Sequence, residues 1–254
     1  MFPLSDENQT LRFPLVTAAI IAINAAVWIL VQGLGADRAL AASVCQFGLI
    51  PADLLGIAEP GTRFQISRDL LCIIDGNSNP SPAITSMFMH GGWFHILGNM
   101  WFLWVFGDNV EDVMGRIRFA FFYLLCGLGA ALAQVLTDPS SITPMVGASG
   151  AIGGIMGAYA FLFPRVRVNT FIFLGFYMTT VAVPAVFMLG YWFVLQLLGG
   201  LPALTQNSAG GVAFWAHIGG FLAGIALVKL FVNDGFLAEH RRHMRRLTSR
   251  HRLF

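Results

Sequence analysis

Six long apolar runs, separated by short polar breaks, organise the chain: near Phe13–Leu34, Ile84–Phe106, Ile117–Leu136, Met145–Phe163, Phe171–Leu198 and Val212–Val232. A helix needs roughly 20 mainly apolar residues to cross the hydrocarbon core of a bilayer. The pattern therefore predicts an all-α polytopic membrane protein. A six-helix transmembrane bundle is expected over 13–232, after a cytoplasmic segment at 1–12 and before a basic cytoplasmic tail at 233–254. The first run is too long and too weakly flanked for a secretory signal, and is expected to be retained.

Two stretches depart from this plan. Residues 35–83 form a long connection, and such connections are usually functional or carry elements of their own. Within it, Ile50-Pro51-Ala52-Asp53-Leu54-Leu55 begins with a proline suited to a first helical turn and predicts an interfacial half-helix. Asp75-Gly76-Asn77-Ser78-Asn79-Pro80-Ser81-Pro82 is a turn-rich return to the second run. The fourth run crowds Gly147, Gly150, Gly153, Gly154 and Gly157 together, and the sixth carries Gly220 and Gly224. Small residues let helices approach closely in lipid, so these two are expected to pack together.

Composition agrees with a membrane protein: 56% of the 254 residues are hydrophobic and 11% charged, against about 25% charged in soluble domains. Basic residues accumulate in short cytoplasmic loops. With both termini inside, Arg12, Arg116, Arg118, Arg165, Arg167, Lys229, Arg241, Arg242, Arg245, Arg246, Arg250 and Arg252 lie on the cytoplasmic side, leaving Arg38, Arg63 and Arg68 outside. The tail arginines anchor this topology and meet anionic headgroups of the lipid bilayer. Absence of an organelle-targeting segment before the first run favours a bacterial cytoplasmic (inner) membrane. The charge balance carries no nucleic-acid signal. Cys45 and Cys72 share the external connection and are expected as two unpaired thiols, a bridge being the alternative, while Cys126 is a packing residue.

Against this apolar background Ser149 and His217 stand out, because polar side chains inside membrane segments face a bundle interior or a wet cavity. Ser149 falls about 3 residues into its run and His217 about 5, so at 1.5 Å per residue both lie in the outer half. A histidine that accepts the serine proton makes a nucleophile, and a helix N-terminus stabilises an oxyanion. His95 and Asn99, four apart, share one helix face and form a plausible donor pair, whereas His90 points elsewhere.

These residues resemble the rhomboid intramembrane serine proteases: Gly-x-Ser-Gly at Gly147–Gly150, Ala-His-x-x-Gly-x-x-x-Gly at Ala216–Gly224, and His-x-x-x-x-His-x-x-x-Asn at His90–Asn99. The resemblance implies a Ser149–His217 dyad, an oxyanion hole of His95, Asn99 and the Ser149 backbone N–H, and a membrane-inserted first loop over 35–83. It sets Gly147 and Ala148 on the substrate-binding side, with His90, Gly150 and Gly220 in support and neither metal nor cofactor required. Gly107-x-x-x-Glu111-x-x-x-Gly115 also matches, with Glu111 as a structural hydrogen-bonding residue. Two features depart from the pattern. Gly153 stands where several members carry a tyrosine against the catalytic histidine, and the Trp-Arg pair of the first loop is absent.

The implied activity is hydrolysis of a peptide bond in or near the outward end of a substrate's transmembrane helix. The alternative is a non-proteolytic relative that binds or retains transmembrane clients. A zinc protease would need His-Glu-x-x-His, which is absent. Asp108 and Asp112 sit at the inner end of the second run, which disfavours an aspartyl enzyme, and no inverted repeat supports a transporter.

Overall fold

The computed structural model describes residues 1–67, 70–76, 78–175, 177–204 and 212–251. The chain opens with strand β1 (Phe2–Asp6) and enters helix α1 (Leu15–Leu30). The connection that follows carries α2 (Asp37–Phe47), the single turn α3 (Pro51–Leu54), a hairpin of β2 (Arg63–Ser67) and β3 (Leu70–Ile73), and the short α4 (Pro82–Thr85). Next come α5 (Trp93–Met114), α6 (Arg116–Thr137) and α7 (Ser149–Leu162), then strands β4 (Arg167–Leu174) and β5 (Tyr177–Pro184). Helices α8 (Ala185–Gly200), α9 (Phe214–Phe231) and α10 (Asp234–His251) complete it. The expectations attached to Arg68, Asn77 and Arg252 lie outside the described residues.

The all-α expectation is corrected by two small sheets. β1, β4 and β5 form an antiparallel sheet in that order, and β2 pairs with β3. The first half of the fifth apolar run is thus a β-hairpin, closing around Gly175 at φ +66°. Hydropathy alone does not separate strand from helix, and β-branched and aromatic residues in Phe171–Pro184 favour the pleated form.

The second run is also displaced. Its helix starts at Trp93, after the Gly91-Gly92 break, and continues to Met114. Acidic residues near its end are buried because each has partners. Glu111 accepts the backbone N–H groups of Val16 and Thr17 at 2.9 and 2.8 Å and the Thr17 hydroxyl at 2.8 Å, so its carboxylate caps the start of α1. This is the structural part foreseen for Glu111. Asp112 pairs with Arg12 and, at 2.8 Å, with His240 Nδ1.

Among the described residues, α6 and α9 are long and apolar enough to cross a membrane by length and composition, whereas α1, α7 and α8 are apolar but shorter. Helix α7 is central, packed between α5, α6 and α9, and nearly all its side chains are buried. Glycines decide how near its neighbours come. A Cβ on Gly220 would lie 1.9 Å from the Gly150 carbonyl oxygen, and one on Gly224 1.9 Å from that of Gly154. The glycine-bearing helices therefore meet backbone to backbone, as their composition suggested.

The tail beyond 233 is a docked amphipathic helix. Phe236 packs beneath the Arg12 guanidinium at 4.1 Å, and His240 Nε2 lies 2.9 Å from Asn8 Oδ1. Arg241, Arg242, Arg245 and Arg246 lie on the exposed side. Cys45 and Cys72 form a disulfide, correcting the expectation of two unpaired thiols. Helix α2 packs against the β2–β3 hairpin and brings the cysteines together, a proximity that their separation of 27 residues does not disclose. Cys126 is buried and unbridged.

Candidate active site

Ser149 is the first residue of α7, at its N-terminal tip and not a turn inside it. The approach to it is pinned. Leu49 and Met145 exchange backbone bonds of 2.9 and 2.8 Å, and Gly147 N–H donates to the Ser86 carbonyl at 2.8 Å. Gly147 adopts φ +123°, a region closed to most side chains. A Cβ there would also strike His95 Nε2 at 2.7 Å. Ala148 is fully buried beneath the turn and its carbonyl starts the helix.

His217 lies in the first turn of α9. Contact of Gly220 with the Gly150 backbone brings the histidine over the tip of α7, and its Nε2 lies 2.7 Å from Ser149 Oγ. Gly150 and Gly220 thus act through close packing. The other ring nitrogen, Nδ1, lies 2.8 Å from Gln196 Oε1 on α8. Trp192, one turn earlier on α8, lies against the His217 ring with centroids 5.9 Å apart and planes at 37°. Gly153 leaves room for this arrangement, since its Cβ position would face the His217 carbonyl oxygen at 3.0 Å and the edge of Trp192 at 3.8 Å. The His217 ring is therefore held from α8, without an aromatic residue at 153.

His95 and Asn99 project from α5 toward Gly147. The Gly91 N–H donates to His95 Nδ1 at 3.2 Å, so that nitrogen is an acceptor and the ring proton resides on Nε2, the atom aimed at Gly147. Asn99 Nδ2 is buried with no acceptor among the described residues. Two N–H donors consequently face the same space. His90 is fully buried behind His95, their rings edge to face at 5.1 Å. Its backbone is clasped by the Gln32 side chain, which donates to the His90 carbonyl at 2.8 Å and accepts its N–H at 2.9 Å.

Ser149, His217, His95, Asn99, Gly147 and Gly150 border one cavity of about 580 Å³, whose walls include Met87, Gly127, Ala130 and Ala131. A hydroxyl next to an imidazole, at a helix N-terminus with N–H donors facing the same cavity, is equipped for acyl transfer. Gln196, Trp192 and Gln32 were not anticipated from the sequence. Gln196 carried a usable signal, as a lone amide in the apolar run Tyr191–Leu198.

Comparison with known proteins points to one family. A family model described as Rhomboid domain matches residues 78–234. RHOMBOID-like protein 5 of Arabidopsis thaliana is 33% identical over 144 residues, covering 57% of this chain and 41% of its own length. Rhomboid protein 1, mitochondrial, of Saccharomyces cerevisiae is 28% identical over 152 residues, covering 56% and 39%. Rhomboid protease GluP of Bacillus subtilis is 31% identical over 144 residues, covering 57% and 25%. The matched region spans less than half the length of each of these relatives.

Proposed function

The chain belongs to the rhomboid family, and from that premise we propose that it is an intramembrane serine endopeptidase acting through Ser149 and His217. The carrying observation is the 2.7 Å contact of Ser149 Oγ with His217 Nε2 beside the Asn99 donor, which has no acceptor among the described residues. His217 Nε2 takes the Ser149 proton as Oγ bonds to the scissile carbonyl carbon. His95 Nε2–H, Asn99 Nδ2–H and the Ser149 backbone N–H receive the resulting oxyanion. As the intermediate collapses, the C–N bond breaks and His217 passes its proton to the leaving amine. Water then loses a proton to His217 and attacks the ester, which releases the new carboxyl group and restores Ser149.

In this reading α1, α5, α6, α7, α8 and α9 are the six membrane helices and both termini are cytoplasmic, in a bacterial inner membrane. The 14 residues of α7 extend about 21 Å at 1.5 Å each. That is roughly 9 Å short of a hydrocarbon core, which sets Ser149 below the outer surface, where the cavity lets water in. The Cys45–Cys72 bridge supports an oxidising compartment for the long connection.

The substrate is a transmembrane helix near its outward end. A regular helix closes its carbonyls to attack, so a cleavable client unwinds locally, helped by glycine or other weak helix formers. Labelling with a fluorophosphonate tests the nucleophile: the wild-type chain reacts, whereas Ser149→Ala and His217→Ala do not. Equal labelling of all three removes the protease reading. A wild-type chain that captures single-span clients without cleaving them favours the client-retaining alternative.

A further inference from the structure

We propose that Gln196 is a positioning residue for His217: it holds the imidazole in the tautomer that activates Ser149, and so makes the dyad depend on the seating of α8. The inference rests on the protease reading above. An amide oxygen only accepts hydrogen bonds, so a contact of 2.8 Å between Gln196 Oε1 and His217 Nδ1 requires the proton on Nδ1. Nε2 is then left with its lone pair toward Ser149 Oγ, as a base requires.

The amide's orientation is set at its other end. Gln196 Nε2 donates to the Trp192 carbonyl at 3.4 Å, a group unable to donate in return. Were the amide reversed, its NH₂ would face Nδ1, the ring proton would move to Nε2, and the serine proton would have no acceptor. Gln196 also suits its location. It stabilises the positive ring that forms during the reaction without the cost of placing a second charge in an apolar helix.

Its position depends on how α8 rests on α9. The Trp215 indole N–H donates to the Gly200 carbonyl at 3.1 Å, and Phe214 packs so closely on Gly199 that a Cβ there would meet its ring at 2.4 Å. The opposite face of α8 is open, with Phe187, Tyr191, Val194 and Leu198 exposed. Outward movement of α8 would therefore remove the Nδ1 acceptor along with the Trp192 ring. Among the described residues, the titratable side chains facing His217 are Ser149 of α7 and, across the cavity, His95 of α5.

The test compares Gln196→Met, which keeps the volume but loses the acceptor, with Gln196→Glu, which keeps an acceptor. Full-length protein in vesicles is assayed on one single-span substrate. Gln196→Met is expected to lower kcat by about tenfold or more, within the range of general-base contributions, with KM changed by less than about threefold. Gln196→Glu is expected to retain most of kcat and to move the acidic limb of the pH profile upward by about half a unit, because a carboxylate favours the protonated ring. Wild-type kcat in Gln196→Met overturns the proposal, as does equal loss in both variants with an unmoved limb. Independent of activity, ¹⁵N-histidine spectra of the wild-type chain at neutral pH must report Nδ1 protonation at His217; protonation at Nε2 also overturns it. A wild-type chain that neither cleaves nor labels at Ser149 counts against the protease reading instead, and the tautomer measurement still decides the role of Gln196.

Discussion

Gly220 of α9 sits directly on the Gly150 carbonyl of α7, with room for a hydrogen and no more: a Cβ would lie 1.9 Å from that oxygen. The residue beside the nucleophile and the residue one turn after the histidine thereby fix the distance between the two helices. Gly220→Ala is expected to force them apart, to cost about 3 kcal/mol as overpacking does, and to abolish fluorophosphonate labelling of Ser149. Gly190→Ala on α8 is the control, since nothing lies within 4 Å of its Cβ position. Thermal melts in detergent should show a drop for the first and no drop for the second.

Asn99→Ala removes a donor that bonds to nothing among the described residues. Stability should hardly change, while kcat on a single-span substrate falls by about 10²-fold, the usual consequence of losing one oxyanion donor. An unaffected kcat would take Asn99 out of the proposed oxyanion hole.

Glu111→Ala should show the opposite behaviour. It strips two backbone N–H groups and the Thr17 hydroxyl of their acceptor at the start of α1. A loss of about 1–3 kcal/mol follows from leaving buried donors unsatisfied, with the labelling rate per folded molecule unchanged. Melts and active-site titration on the same sample separate the two effects.

Reduction of Cys45–Cys72, or the Cys45→Ser/Cys72→Ser pair, opens a loop closed across 27 residues. Loop-closure entropy places the effect at about 3.5 kcal/mol. The melting temperature should fall on adding a reductant to the wild-type chain and stay put in the double variant. Cys126 stays silent in this test because it is buried and unbridged.

Asp6 supplies a pH dependence. Burial raises its carboxyl to about 6, against the opposing pull of the Tyr159 hydroxyl bonded to it. The folded chain thus holds a proton that the unfolded chain has released. This stability is complete below the ordinary value of 3.8 and is lost as pH rises through about 6. The melting temperature is expected to decline across that window, and Asp6→Asn should flatten the decline. A decline of equal slope in the variant would assign it to another group.

Much of the site was legible in the sequence because its signals are local. A serine preceded by Gly147, a histidine followed by glycines at the spacing of one helix face, and the His95–Asn99 pair each announce themselves within ten residues. Glu111 was legible for the same reason, as an acid between two glycines at regular spacing. Gln196 showed only as a lone amide in an apolar run, and its partner is a histidine 21 residues away on another helix. The β4–β5 hairpin escaped because averaged hydropathy is the same for an apolar strand and an apolar helix.

Taken by itself, the sequence determined which segments are apolar, where glycine permits close approach, and which few polar side chains must find partners away from water. Tertiary structure alone decided who those partners are. Ser149 meets His217 across 68 residues, Gln196 orients the ring, Cys45 reaches Cys72, and the tail helix docks on Asp112. The physical reason is that burial demands are written residue by residue along the chain, whereas hydrogen bonds of 2.7 to 2.9 Å depend on how helices cross, which no stretch of sequence contains on its own.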